Sequence, residues 1–100
     1  MARFGSAKAA HAYDLNDAIS SVNQSLDDAN RGLDRLDCGP TLLALSSGFA
    51  AHGEGMAHAK SAGLSTDSAE RATLSRLQTK LLEARRQFRI KCVRKASGHF

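Results

Sequence analysis

The feature that most constrains this chain is a run of apolar positions, Leu15, Ile19, Val22, Leu26, Ala29, Leu33 and Leu36, that steps by four and three in alternation. On a helix this spacing gathers every member onto one narrow face, the seam of a coiled coil, whereas a strand would scatter them over both of its faces. Asp14 and Asp17 stand at the start, where carboxylates suit the positive end of the helix dipole, and Gly39 and Pro40 follow as the expected terminators. Gly32 lies inside the run and is expected to cost about 1 kcal/mol relative to Ala.

Two further pieces follow. After the break at Cys38-Gly39-Pro40 the spacing resumes with Leu42, Leu45, Phe49, His52, Met56, Ala59 and Gly63. The same piece carries a ridge of small residues, Ser47, Ala51, Gly55, Ala59 and Gly63, and its glycines make it the least helical of the three. Beyond Ser61-Ala62-Gly63 a third seam runs through Leu74, Leu77, Leu81, Ala84, Phe88 and Cys92, with Asp67 and Glu70 as its start signal and Ser65 and Thr66 as competing caps. The spacing predicts helices over 14–36, 41–62 and 66–97, and their short connections predict an all-α, antiparallel three-helix bundle ending in a long basic helix. Residues 1–13 are read as a flexible segment, 14–97 as the single domain and 98–100 as a tail. The rival is a hairpin of the first and third helices around an irregular middle.

Composition narrows the function classes. One hundred residues are too few for a doubly wound nucleotide fold or a (β/α)8 barrel, and no apolar stretch reaches the roughly 20 residues of a membrane-spanning helix. Cys38 and Cys92 are too far apart for a CxxC motif and too few for a disulfide-dense scaffold, so reduced thiols in a cytoplasmic setting are expected, and residues 1–13 lack the apolar block of a secretory signal. Helices one and three of an up-down-up bundle run in the same direction, which brings both cysteines towards one end, where Cα atoms within about 7 Å would permit a bridge.

Catalytic and metal signatures are weak. His52, Glu54 and His58 are the only cluster of metal-like composition, but His52 falls on the seam and the other two do not, so no metal site or cofactor is expected. There is no HExxH, no GxSxG and no glycine-rich phosphate loop, and three narrow helices make a poor pocket for a small-molecule substrate. A non-enzymatic role follows.

The charges carry the functional hint. Residues 1–69 hold five Lys/Arg against eight Asp/Glu, while residues 70–100 hold nine against two. Arg85, Arg86, Arg89, Lys91, Arg94 and Lys95 put six cations into eleven residues, a candidate nucleic-acid element, although a helical wheel spreads them around most of the circumference. An alternative is pairing with the acids of the first helix, Asp17, Asp27, Asp28, Asp34 and Asp37. Leu82, Ile90 and Val93, framed by Arg86 and Arg94, suggest instead the apolar centre and cationic rim of a protein interface. The preferred expectation is a small helical interaction module, an adaptor, regulator or assembly component that self-associates. Nucleic-acid binding is the alternative.

Overall fold

Asp14 opens the first helix through reciprocal bonding with Asp17. Asp14 Oδ1 accepts from the Asp17 N–H and Asp17 Oδ2 from the Asp14 N–H, each at 3.2 Å, so two donors that no helical carbonyl reaches are satisfied. In the computed structural model, which describes residues 14–94, helix α1 spans Leu15–Arg35, α2 Cys38–Ser61 and α3 Ala69–Phe88, and a π-helical turn, Arg89–Arg94, continues α3. The three helices pack against one another as an antiparallel bundle, and the middle piece is helical throughout. Residues 1–13 and 95–100 lie outside the described residues, so the readings of a flexible start and a short tail fall beyond them.

The helix ends depart from expectation for local reasons. α1 stops because Leu36 takes the left-handed conformation, φ 58°, which lets the Asp37 N–H reach the Gly32 carbonyl at 2.8 Å. Leu36, expected to close the seam, is thereby turned out to solvent. Gly39 and Pro40 do not terminate α1; they occupy the first turn of α2, where an N–H has no intrahelical partner and proline loses nothing. Ser68, not Asp67, caps α3 by accepting from the Arg71 N–H at 3.2 Å, while the Ser68 N–H bonds back to Ser65 and closes the preceding turn. Gly63, expected on the seam, instead ends α2 at φ 69°, allowing the Leu64 N–H to reach the Ala59 carbonyl at 3.0 Å.

α1 and α2 approach through small residues set seven apart. Ala18, Ser25 and Gly32 of α1 face Gly55, Gly48 and Thr41 of α2, and all six are buried. A methyl group built on Gly48 would lie 2.7 Å from Leu81 Cδ2 and 3.2 Å from Ser25 Cβ; one on Gly55 would lie 2.9 Å from Leu74 Cδ2 and 3.4 Å from Ala18 Cβ. At Gly32 the methyl would overlap the Thr41 hydroxyl, which donates to the Asp37 carbonyl at 2.7 Å. Gly32 is thus a packing position and not the weak spot that propensity suggests.

This approach corrects the seam of α2. Its buried residues are Thr41, Leu45, Gly48, Ala51, His52, Gly55 and Ala59, so Leu45, His52 and Ala59 keep their expected places, Phe49 is half-buried, and Leu42 and Met56 are exposed. Of the small-residue ridge, Ala51, Gly55 and Ala59 are consumed inside the bundle, and only Ser47 and Gly63 face out. α3 buries Leu74, Leu77, Leu81 and Ala84 as the spacing predicts. The main core cluster joins these last three with Val22, Leu26, Ala29, Leu33, Leu45 and Ala51. Buried His52 places Nε2 3.0 Å from the Leu74 carbonyl, linking α2 to α3 by a polar bond at the edge of that core.

Cys38 and Cys92 are joined by a disulfide, with Cα atoms 5.8 Å apart, which corrects the expectation of reduced thiols. The bond ties the first residue of α2 to the π turn that follows α3.

Two outcomes test this packing. Gly53 has open space where a Cβ would stand. Gly53→Ala should therefore raise stability by about 0.5–1 kcal/mol, whereas Gly32→Ala should lower it by about 1–3 kcal/mol, both read from urea denaturation. Closing a separation of 54 residues corresponds to about 4 kcal/mol in the chain-entropy view. Reduction, or Cys38→Ser with Cys92→Ser, should lower the denaturation midpoint accordingly while the helical circular-dichroism signal at low denaturant persists.

Candidate functional site

Because small side chains draw α2 towards α1, Leu42 and Phe49 turn towards the flank of α3, while Leu43, 71% exposed, lies on the α1 side. Leu42, Leu45, Ser46 and Phe49 on α2 and Arg85, Phe88, Arg89 and Val93 on the other wall enclose a groove of about 460 Å³. Leu45 forms its floor within the core; Leu42 is 51% and Val93 48% exposed. Phe49 is covered on one side by Arg85, whose guanidinium carbon lies 5.4 Å from the ring centroid, a cation–π contact that holds the charge at the rim. The lining contains two cations, one hydroxyl and no carboxylate.

Val93 stands four residues after Arg89, a spacing at which side chains share a helix face, and the two line the groove together. From Arg89 to Arg94 the backbone forms a π turn, whose hydrogen bonds span five residues. The expectation of one α-helix to residue 97 is therefore corrected after Phe88. Residues 95–97 lie outside the described residues.

The expected interface set separates accordingly. Val93 lines the groove; Leu82, 42% exposed, lies one turn before Arg85 and extends the same α3 face towards the middle of the helix. Ile90, 38% exposed, and Arg86 are not among the lining residues. Arg86 bonds Glu83 instead, through Nε at 3.2 Å and Nη2 at 3.3 Å, and Gln87 adds a third bond at 3.1 Å. The Arg86 bond and then the Gln87 bond hold the exposed Glu83 carboxyl below its ordinary pKa. Arg94 ends the π turn. Leu42, Phe49 and Phe88, assigned by spacing to the seams, are the residues the interface reading missed; the glycines opposite α1 were the available signal.

The candidate nucleic-acid cations whose side chains are described, Arg85, Arg86, Arg89 and Lys91, are not gathered either. Arg85 and Arg89 face the groove, Arg86 is paired within α3, Lys91 is exposed, and Lys95 lies outside the described residues. Nor do they meet the acids of α1: among the described residues the Arg–carboxylate pairs are Arg31–Asp28 and Arg86–Glu83, each within one helix.

His52, Glu54 and His58 do not converge. His52 bonds across to α3, whereas Glu54 lines a shallow groove against α1. Among the described residues no three His, Cys, Asp or Glu side chains are placed to hold a metal ion, and no helix is long and apolar enough to cross a membrane. Three other grooves, one between α1 and α3 and two between α1 and α2, carry charged groups, among them Asp27, Lys80, Asp28 and Arg31, and one of them also carries Pro40, Leu43 and Ala44. No protein-family model matches the chain, and no curated protein or solved structure shows significant similarity to it.

The division between core and groove has a direct check. Leu42→Asp should change stability by no more than about 1 kcal/mol, since its side chain already meets water, whereas Leu45→Asp should cost more than about 4 kcal/mol by burying a carboxylate. Thermal melts of the two variants separate them.

Proposed function

We propose that this chain is a non-enzymatic helical interaction module whose working surface is the groove between α2 and α3. The observation that carries the reading is the pairing of open apolar side chains, Leu42 and Val93, with two rim cations, Arg85 and Arg89, that have no carboxylate partner among the described residues. An apolar centre with an Arg-bearing rim is the composition of a protein-binding patch. Self-association was expected chiefly because a glycine-rich middle helix needs packing, and α1 supplies that packing within the chain. Two copies meeting groove to groove would also bring Arg85 and Arg89 against their own counterparts. The module is thus read as docking a different chain.

The nucleic-acid reading loses support from geometry among the described residues, because Arg85 and Arg89 face the groove while Arg86 is paired with Glu83, so these three do not form one stripe along which a phosphate backbone would run. As to setting, the cytoplasm expected from two lone cysteines would keep both thiols reduced, whereas the bonded pair favours an oxidising environment for the working form.

Immobilised protein and its Leu42→Asp/Val93→Asp variant, exposed to lysate of the source cells, test the module reading. The wild type should retain a partner that the variant loses, and Ile90→Asp should retain it as well. Fluorescence anisotropy with duplex DNA and single-stranded RNA addresses the alternative. Binding should vanish near physiological salt, and tight binding that survives there and loses salt dependence in Arg85→Ala/Arg89→Ala would reverse the ranking.

A further inference from the structure

We infer that the groove between α2 and α3 receives an acidic amphipathic helix of another chain; this deepens the module reading and rests on it. The shape of the surface is helical. Leu42, Ser46, Phe49, Gly53 and Met56 repeat at four and three along α2, each open or half-open, and Gly53 leaves space beside its backbone. This second stripe runs beside the buried one for fourteen residue steps, about 21 Å at 1.5 Å per residue, the length of a four-turn helix. The opposite wall is set by Arg85, Phe88, Arg89 and Val93 on the antiparallel α3 and its π turn, and exposed Leu82 extends it one turn along α3. A helix laid between them converts three helices into four and covers Leu42, Phe49, Met56, Leu82 and Val93 together.

Charge selects the kind of helix. The lining holds Arg85 and Arg89 and no acid, and neither Arg has a carboxylate partner among the described residues. Arg85 is held at the rim by Phe49, so its donors are oriented before any partner arrives. A partner helix with Leu-type side chains at three and four spacing and Asp or Glu on the flanks would fill the apolar floor and offer carboxylates to both forks. The exposed face of α1 in a second copy does not qualify. It presents Asp14, Asn16, Asn23, Gln24, Asp27 and Asp34, which supply charge but no apolar anchor.

The test uses the full oxidised chain and a fluorescein-labelled synthetic helix of about sixteen residues, Leu at groove spacing and Glu on the flanks. A matched peptide carries Lys for Glu, and the readout is anisotropy near physiological salt. The Glu peptide should bind roughly ten-fold more tightly than the Lys peptide, and Arg89→Glu, which disturbs no contact within the fold, should remove that preference. Arg85→Glu/Arg89→Glu should invert it, and Leu42→Asp/Val93→Asp should abolish binding with an unchanged melt. Equal affinity for the two peptides, binding indifferent to Arg89, or binding of neither peptide overturns the inference. So does stronger Arg89-dependent binding to duplex DNA or to phosphatidylserine-containing vesicles than to the Glu peptide. If both peptides fail while the lysate partner is still lost with Leu42→Asp/Val93→Asp, the acidic-helix inference falls and the module reading stands. If that partner is indifferent to the groove substitutions, the module reading falls too.

Discussion

The structure depends on the close approach of α1 and α2 at Ala18–Gly55, Ser25–Gly48 and Gly32–Thr41. Three small pairs seven residues apart let two backbones come nearer than leucine-sized side chains permit, and the approach leaves no freedom to rotate α2 about its own axis. Once that rotation is set, Leu74 and Leu81 of α3 close the remaining space over Gly55 and Gly48. Leu42 and Met56 cannot then point inward, and Phe49 reaches the core only in part. The open groove is therefore a by-product of tight packing on the opposite side of α2, and its apolar lining is what the core had no room for.

Legibility in the sequence followed side-chain size. The seams of α1 and α3 are built from Leu, Val and Ile, whose burial is the main force for folding, and most of their members were placed correctly from spacing alone. α2 was misread by roughly one position because a scale that rewards large apolar groups passes over Gly48 and Gly55, although these are the buried residues. Asp14 and Asp17 marked the start of α1 through the helix dipole, while the reciprocal capping box they form was not read. The start of α3 was read at Asp67, with Ser65 and Thr66 as competitors, and Ser68, of the same capping chemistry, takes the position. Nothing in Arg89–Arg94 announces a change of hydrogen-bonding pattern, so the π turn was not legible, although spacing alone had placed Val93 on an interface face.

The uneven charge of the chain has its explanation in what the bundle leaves unpaired. Opposite charges on α1 and α3 do not bond across the interface, which is closed by Leu26, Ala29, Leu77, Leu81 and Ala84 instead. Burying ion pairs there would have cost desolvation that these apolar side chains avoid. Asp27 of α1 and Lys80 of α3 share a groove without an ion pair, while Arg85 and Arg89 line the groove against α2. Of the charges on α3 and its π turn, Arg85 and Arg89 are thus the ones that border Leu42, Leu45, Phe49 and Val93.

The disulfide also gives the polypeptide a topology. From Cys38 to Cys92 the chain is a closed ring that contains the groove lining, Val93 excepted, and the turn between α2 and α3, while α1 is attached as a side arm. A protease that cuts the exposed turn at Ser65 to Asp67 would open the ring without releasing either wall, because the sulfur bond still tethers them at the far end. A cut between α1 and α2 would free the arm that fixes the rotation of α2. In the oxidised molecule the two connections are thus unequal: one is a redundant strap, the other the single thread by which α1 is held.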